Sequence, residues 1–164
     1  MHPSIVVKYM SSIHGKGLFA SENIEKNTPI WKMTDRVYTI EEIDRQSDEF
    51  REHFGIYGFQ CGENLFSNPQ GICKYANHSC DPNTYWKGST IICLAKDVAK
   101  DEEITYDYST CDIDIEMTMK CQCGSKNCRN TITNKDYLIS SWQHMHGQRL
   151  PSHTLKAIKL SRMN

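Results

Sequence analysis

Short apolar stretches separated by glycine, proline and asparagine dominate the first two thirds of the chain. Stretches of this length, bounded by turn residues, are typical of short β-strands. The pattern of hydrophobic and polar positions therefore predicts strands near residues 5–7, 14–20, 30–33, 56–59, 64–66, 84–86, 90–95 and 103–108.

Helices are predicted at three places. Residues 40–54 form the best candidate, with Thr39 as the capping residue. Shorter helices are predicted over 136–146 and 151–162, the second with Pro151 in its first turn. The fold class that results is mainly β with small helical inserts, one domain followed by a C-terminal metal-binding segment. The apolar positions that fall broadly on one side of the first helix are Ile40, Ile43, Phe50 and Phe54.

The composition excludes several classes of protein. The chain has 164 residues, of which 38% are hydrophobic and 24% charged. These values exclude a disordered tail, a collagen-like chain and an integral membrane protein, because no apolar run approaches the length of a membrane span. The first residues lack the charged-then-apolar layout of a secretory signal, so we expect a soluble, intracellular protein. A mature secreted fragment stays open as an alternative.

The net charge of −1 hides an asymmetry along the chain. Residues 120–164 contain eight Lys or Arg and one Asp, so residues 1–119 carry a net charge of −8. Acidic residues bunch at 41–52 and 97–116, and 109–120 is predicted to be an acidic connector. Solvated surface is the ordinary explanation of such clusters. The sharper hypothesis is an acidic body that attracts a basic ligand, such as a lysine-rich peptide.

Three of the eight cysteines crowd together as Cys121, Cys123 and Cys128. Cysteines two positions apart are poor disulfide partners, and oxidation is not expected in an intracellular protein. Thiolates at this spacing, with a Gly-Ser turn between them, suit a tetrahedral metal site, above all zinc. Because a closed structural zinc site needs four ligands, a fourth must come from elsewhere in the chain.

Two glycines flank a lysine at Gly15-Lys16-Gly17, after a β-like stretch. Glycines allow the backbone to approach a ligand closely, but for this short motif alone a tight hairpin turn is the better explanation. Neither a GxGxxG nor a Walker pattern is present, so nucleotide binding is unsupported.

Polar side chains are concentrated at Asn77-His78-Ser79-Cys80-Asp81-Pro82-Asn83. His78 beside Cys80 allows a thiol–imidazole pair, so a cysteine hydrolase is one hypothesis. A metal ion bound to Cys80 would compete with its use as a nucleophile. A third segment, Glu102 to Tyr108, would place Tyr106 and Tyr108 on one face of a strand.

In this order and spacing, HGKGLFA, NHSCDPN, EEITYDY and the CxCx4C cluster resemble the SET-domain protein lysine methyltransferases with a post-SET zinc motif. The resemblance runs from about residue 4 to about residue 130. The chain has no cysteine-rich pre-SET segment, so it looks like one of the compact SET proteins.

The resemblance implies a β-clip fold with a pseudoknot, in which EEITYDY passes beneath a loop and lies beside NHSC. It divides the chain into a SET domain over 1–110, a post-SET zinc motif over 111–130 and a short helical extension over 131–164. It also supplies the fourth zinc ligand, Cys80, which joins Cys121, Cys123 and Cys128 around one structural zinc. The cysteines left over are expected to be small buried hydrophobic residues: Cys61, Cys73, Cys93 and Cys111.

The activity that the resemblance implies is transfer of a methyl group from S-adenosylmethionine to a lysine ε-amine, with mainly mono- or dimethylation. By the family pattern Tyr108 orients the methyl donor and the target amine. Tyr106 occupies the position that sets how many methyl groups are added. The cofactor-binding residues would be Gly15, Lys16, Gly17, Asn77 and His78. Aromatic candidates for the lysine channel are Tyr57, Tyr75, Tyr137 and Trp142.

The expected partner is a basic protein or peptide that contains lysine, a histone tail among the candidates, with no direct nucleic-acid binding and no membrane. Asp112, Asp114 and Glu116 would lie near the peptide groove and help to recruit it. The working compartment would be cytoplasmic or nuclear, and a secreted microbial effector that acts in a host cell stays open. The main alternative is a catalytically inactive SET module that binds peptides. A cysteine hydrolase and a zinc-ribbon nucleic-acid binder are weaker alternatives.

Overall fold

The computed structural model describes residues 1–163, in which short strands are grouped into four small sheets. Of the helices in this range, none combines the length and apolar character needed to cross a membrane. The strands are β1 (Ile5–Lys8), β2 (Gly17–Ala20), β3 (Pro29–Lys32), β4 (Val37–Tyr38), β5 (Phe59–Gly62), β6 (Leu65–Ser67), β7 (Asn77–His78), β8 (Thr84–Lys87), β9 (Ile91–Leu94), β10 (Glu103–Tyr106), β11 (Thr118–Lys120) and β12 (Thr131–Thr133). The helices are α1 (Ile40–Asp44), α2 (Asp48–Tyr57), α3 (Ser140–His146) and α4 (Ser152–Ser161).

The sheet that positions the site has the strand order β1-β2-β10-β7. Its last pair is parallel, with Tyr106 opposite His78. The side chain of Asn83 strengthens this junction because it accepts from the Thr105 amide at 2.9 Å and donates to the Glu103 carbonyl at 2.7 Å. The expectation that EEITYDY lies beside NHSC is therefore confirmed.

The remaining sheets have the orders β3-β9-β8, β4-β6-β5 and β11-β12, and the first two contribute to a common core. Trp31, Phe59 and Trp86 pack with ring centroids 5.6–6.3 Å apart. Leu94 and Ile104 are almost fully buried beside them. Burial of side chains this large stabilises the fold by about 1.5–3 kcal/mol each.

The predicted helix over 40–54 is wrong in its extent, because the structure has two helices there. Thr39 does cap the first, in a capping box with Glu42. Ser47 interrupts the segment: its hydroxyl accepts from the Phe50 amide and starts α2 as a separate helix. α2 has no buried residue, so the apolar stripe predicted along one continuous helix does not form.

Several predicted strands also need correction. Residues 56 and 57 belong to the last turn of α2, and the strand starts only at Phe59. β10 ends at Tyr106, and Tyr108 begins a 3-10 turn that extends to Thr110. The acidic connector contains β11, which pairs with β12 on the far side of the cysteine cluster. The short strands β4 and β7 were not predicted as separate elements.

The C-terminal helices pack around a second apolar cluster of Trp142, Leu150 and Ile158, with Tyr137 against it. The predicted helix over 136–146 is a 3-10 turn, Asp136–Leu138, followed by α3. Pro151 is the capping residue just before α4 rather than part of its first turn. Trp142 is 1% exposed in this cluster, so Tyr137 and Trp142 are not channel residues.

A buried carboxylate, Asp107, ties this C-terminal part to the end of β10. Arg129 donates to both of its oxygens at 2.8 Å, Trp142 Nε1 donates at 3.0 Å and His146 Nε2 lies at 3.2 Å. The Ser109 amide also donates to it at 3.1 Å. Burial alone would raise the pKa of Asp107, but the hydrogen bonds from His146 and Arg129 hold it well below its usual range.

Replacing Arg129 should therefore destabilise the protein strongly. In Arg129→Met the Asp107 carboxylate loses its cationic partner, which costs about 3–5 kcal/mol for a buried ion pair. Lys8→Met, which removes an exposed partner of Asp101, is the matched control and should cost about 1 kcal/mol or less. Urea unfolding monitored by tryptophan fluorescence measures both values. Equal losses in the two variants would contradict this role of Asp107.

The Asp107 carboxylate also determines how the stability of the folded protein changes as the pH falls. The pKa of Asp107 is lower in the folded than in the unfolded protein. Its contribution to the stability of the fold is therefore complete above a pH of about 4, and it is lost as the pH falls through the pKa of the folded state.

Candidate active site

The loop before β2 bends sharply at Gly15, where φ is +42°. Gly17 then passes so close to β10 that a Cβ atom there would lie 2.2 Å from the Glu103 carboxylate. Gly15 therefore suits the turn, whereas a larger residue at position 17 would require the Glu103 side chain to move. The hairpin-turn explanation of this motif applies to Gly15.

Asn77 anchors this loop from β7. Its side-chain Nδ2 lies 3.0 Å from Ser11 Oγ, 2.9 Å from the Lys16 carbonyl and 2.7 Å from Glu103 Oε1. An amide nitrogen has two hydrogens, so these acceptors share them. The Asn77 side chain thus fixes the position of the 11–17 loop relative to β10.

His78 links the end of β10 to the cysteine cluster. Its Nδ1 accepts from the Tyr108 amide at 3.2 Å, so the proton of the neutral ring is on Nε2, which donates to Cys80 Sγ at 3.3 Å. Burial lowers the pKa of His78 to about 4, despite the Asp107 carboxylate 3.6 Å away. The ring is therefore neutral at physiological pH and forms no ion pair.

Tyr108 sits in the 3-10 turn that follows β10. Its hydroxyl donates to the Ala76 carbonyl at 2.9 Å, and its ring lies 4.8 Å from Tyr106 and 5.3 Å from His78. Burial raises the pKa of Tyr108 to about 12 and that of Tyr106 well above its usual value. Both hydroxyls therefore keep their protons at neutral pH.

Two cavities meet at Tyr108. The first, of about 550 Å³, is lined by Gly15, Lys16, Asn77 and His78, whereas Gly17 is not part of its wall. The second, of about 400 Å³, contains Tyr106. The residues that line both cavities are Ile56, Tyr57, Lys74, Tyr108 and Met119. This arrangement lets two ligands reach Tyr108 from opposite sides.

Two lysines of the wall lie against aromatic rings, a feature that sequence reasoning missed. Lys16 Nζ is 4.7 Å from the ring centroid of Tyr9 and 4.9 Å from that of Tyr75. Lys74 Nζ is 5.1 Å from Tyr57 and 5.4 Å from Tyr75. The rings thus attract cations. Of the two aromatic candidates for the lysine channel on these walls, Tyr57 lines both cavities, whereas Tyr75 lines only the first.

The structure brings together all four cysteines of the predicted metal site. The Sγ atoms of Cys80, Cys121, Cys123 and Cys128 lie within 4.8 Å of one another, and Cys80 and Cys121 are 3.7 Å apart. Tetrahedral zinc with Zn–S bonds of about 2.3 Å separates its sulfurs by about 3.8 Å. Backbone amides also donate to these sulfurs, from Arg129 to Cys80 and from Asn130 to Cys128, both at 3.4 Å.

This donor set of four clustered thiols fits a closed zinc site. The same geometry weighs against a cysteine hydrolase, because Cys80 is fully buried among sulfurs and its partner His78 is only 3% exposed. The cysteines outside the cluster are buried and unpaired, as expected for small apolar residues: Cys61, Cys73, Cys93 and Cys111.

The three acidic residues after the 3-10 turn are placed differently from one another. Asp112 and Glu116 line the second cavity; Asp112 is half-buried and Glu116 is exposed. Asp114 is exposed and accepts from the Gln60 side chain at 2.5 Å.

Comparison with known proteins supports the resemblance found in the sequence. The pattern that defines the SET domain matches residues 15–109. Histone-lysine N-methyltransferase 2D of Homo sapiens is 32% identical over 130 residues, which cover 73% of this chain and 2% of that protein. The H3 lysine-4 specific histone-lysine N-methyltransferase of Aspergillus fumigatus is 35% identical over 140 residues, 74% of this chain and 11% of that protein. The chain therefore spans only a small part of these relatives.

A solved structure agrees in fold. The crystal structure of KRYPTONITE in complex with mCHG DNA and SAH matches with a TM-score of 0.60 at 19% identity, over 77% of this chain and 28% of that one. The parallel pairing of β7 with β10 and the cysteine cluster at the C-terminal end agree with this fold. Because the SET-domain pattern matches residues 15–109, this chain belongs to the SET-domain family.

Proposed function

We propose that this chain is a protein-lysine N-methyltransferase that transfers a methyl group from S-adenosylmethionine to the ε-amine of a lysine in a protein substrate. The observation that carries the proposal is the position of Tyr108 where two cavities meet. One cavity is assigned to the methyl donor and the other to the lysine side chain. The names of the similar histone-lysine N-methyltransferases support this assignment.

The first cavity is the proposed cofactor site. Its volume of about 550 Å³ falls in the range of small-molecule sites, and Asn77 fixes the loop that carries Gly15 and Lys16. The similar structure that holds SAH supports this choice. When bound, S-adenosylmethionine supplies a methyl group on a cationic sulfur. Lys16 and Lys74 add positive charge to the wall, which leaves the carboxylate end of the cofactor as the complementary group.

The second cavity is the proposed lysine channel. Its wall contains Tyr57, Tyr106 and Tyr108, aromatic residues that suit a cationic amine, and Tyr108 also lines the first cavity. The chain therefore acts mainly by aligning the reacting groups, which can lower the activation barrier by about 7–11 kcal/mol. Tyr108, held through its hydroxyl by Ala76 and through its amide by His78, is the proposed orienting residue.

The proposed substrate is a basic protein, with histones as the leading candidates and the nucleus as the leading compartment. The net charge of −8 over residues 1–119 and the carboxylates of Asp112 and Glu116 on the cavity wall suit a lysine-rich segment. The division into a SET domain over 1–110, a post-SET motif over 111–130 and an extension over 131–164 is part of the same proposal.

The alternative is an inactive SET module that binds peptides. The intact pair of cavities and the ordered contacts of Asn77, His78 and Tyr108 favour the enzyme, since a binding module needs no second cavity. Incubation with labelled methyl donor and a mixture of basic proteins separates the two. Label on lysine identifies the enzyme, whereas peptide binding without label identifies the module.

Tyr108 is proposed to align the reactants through its position between the two cavities. Tyr108→Phe should reduce methyl transfer by about 100-fold, because the target amine and methyl group lose their alignment. Affinity for the cofactor, measured by calorimetry, should stay largely unchanged. Tyr85→Phe is the matched control, since it removes a hydroxyl that contacts Asn27 far from both cavities. A Tyr108→Phe enzyme with the unmutated rate would show that another residue orients the reactants.

Tyr106 is proposed to limit the product to mono- or dimethyl-lysine, because its hydroxyl occupies space and holds water in the second cavity. Tyr106→Phe should shift the product to a higher methylation state. Mass spectrometry of a peptide driven to completion measures this shift. Dominant trimethyl-lysine from the unmutated enzyme would contradict it.

We propose one structural zinc held by Cys80, Cys121, Cys123 and Cys128, so elemental analysis should find about one zinc per chain. Cys123→Ser should lower both zinc retention and cofactor affinity, because Cys121 and Gln122 line the first cavity. Cys93→Ser, a buried cysteine outside the cluster, is the control and should retain zinc. Full activity of a zinc-free protein would reject the proposal.

A further inference from the structure

Asp112 places a half-buried carboxyl group on the wall of the second cavity, together with Tyr106 and Tyr108. Its Oδ1 accepts from the backbone amide of Gln60 at 2.6 Å. Within residues 1–163 its Oδ2 forms no hydrogen bond, and it is not among the fully buried atoms that lack a partner. One oxygen is thus fixed by β5, and the other is left for a ligand in the cavity.

Asp112 forms no ion pair with another described residue, in contrast to Asp107. Burial raises the pKa of Asp112 to about 7, although the hydrogen bond from Gln60 works in the opposite direction. The carboxyl group can therefore both take up and release a proton near neutral pH. The titratable groups that surround it are Cys61 on β5, Tyr106 on β10, Tyr108 and Cys111 after it, and Cys73, Lys74 and Glu116 on the cavity wall.

The other titratable groups of this cavity are poor proton acceptors. Burial raises the pKa of Tyr106, Tyr108 and Cys73, so each keeps its proton. Lys74 is a basic residue that offers hydrogen-bond donors. Glu116 is exposed at the rim of the cavity. Asp112 alone among these groups combines burial, a free oxygen and an accessible proton.

A lysine that enters this channel arrives as an ammonium ion, since its pKa in water is about 10.4. The nitrogen must lose one proton before it can act as a nucleophile. Exclusion of water disfavours the charged forms of both a buried ammonium and a buried carboxylate, so a proton transfer between them relieves both costs.

We propose that Asp112 accepts the proton of the target lysine in the second cavity, a role that rests on the proposed methyltransferase function. The proton moves from the ammonium nitrogen to Asp112 Oδ2, and the electron pair of the broken N–H bond stays on nitrogen. An ammonium and a carboxylate become a neutral amine and a carboxylic acid, with no net change in charge. The proton then leaves to solvent as Asp112 ionises again.

The test is the pH profile of kcat/KM for Asp112→Asn, a variant whose side-chain oxygen still accepts from Gln60. At neutral pH the kcat/KM of the variant should be about 100-fold or more below that of the unmutated enzyme, because a positioned base usually contributes a factor of this size. The rate should recover toward that of the unmutated enzyme as pH rises toward about 10, where lysine loses its proton unaided. Asp97→Asn is the matched control, since Asp97 also accepts from a backbone amide, that of Lys26 at 2.8 Å, and lines neither cavity.

A second measurement does not depend on turnover. In the free protein, the backbone amide resonance of Gln60 should titrate with a midpoint near pH 7 because it donates to Asp112. This titration should disappear in Asp112→Asn and persist in Asp97→Asn.

Each outcome bears on a distinct claim. An unmutated enzyme that methylates lysine, with an Asp112→Asn profile parallel to it at every pH, overturns only the role of Asp112. A Gln60 resonance that does not titrate between pH 5 and 9 overturns it as well. An unmutated protein that transfers no methyl group to any basic protein overturns the methyltransferase function and this role together.

Discussion

The buried carboxylate of Asp107 is the contact on which the geometry of the site depends. It receives hydrogen bonds from Arg129, Trp142 and Ser109, with His146 beside them, and it is fully buried. Because Tyr108 is the next residue, whatever fixes Asp107 also fixes the backbone from which the Tyr108 ring projects. The C-terminal helices are therefore part of the support of the site, although they line neither cavity.

The same contact joins the cysteine cluster to the turn that carries Tyr108. Arg129 directly follows Cys128, and its backbone amide donates to Cys80 while its side chain holds Asp107 and Asp136. On the other side, His78 bridges Cys80 and the Tyr108 amide. A metal that holds the four sulfurs would thus restrain Tyr108 along two routes. This dual linkage explains why loss of zinc should affect the cofactor site as well as stability.

The sequence predicted the strands and motifs well, since each depends on local pattern: β1, β3, β8 and β9 lie where short apolar runs occur. Prediction from the sequence failed where tertiary contacts determine the structure. The interruption by Ser47 divides one amphipathic pattern into two helices, and no periodicity places Trp142 against Asp107. Only the family resemblance identified Cys80 as the fourth candidate zinc ligand. The sequence pattern did not distinguish Asp112 from a solvated surface acid, because a pattern does not show how much water surrounds a side chain. Charge next to a motif does not show which way the side chain faces.

Two aspartates that flank the 3-10 turn of Tyr108 show how differences in environment separate their chemistry. Asp107 is surrounded by donors, so its pKa falls and it remains ionised as a structural anchor. Asp112, five residues later, has one backbone donor and no cationic partner, so removal of water raises its pKa to about 7. A carboxylate that anchors must not exchange protons, and one that receives a proton must not be neutralised by an arginine. The turn that carries Tyr108 therefore separates a fixed charge on its protein side from a titratable one on its cavity side.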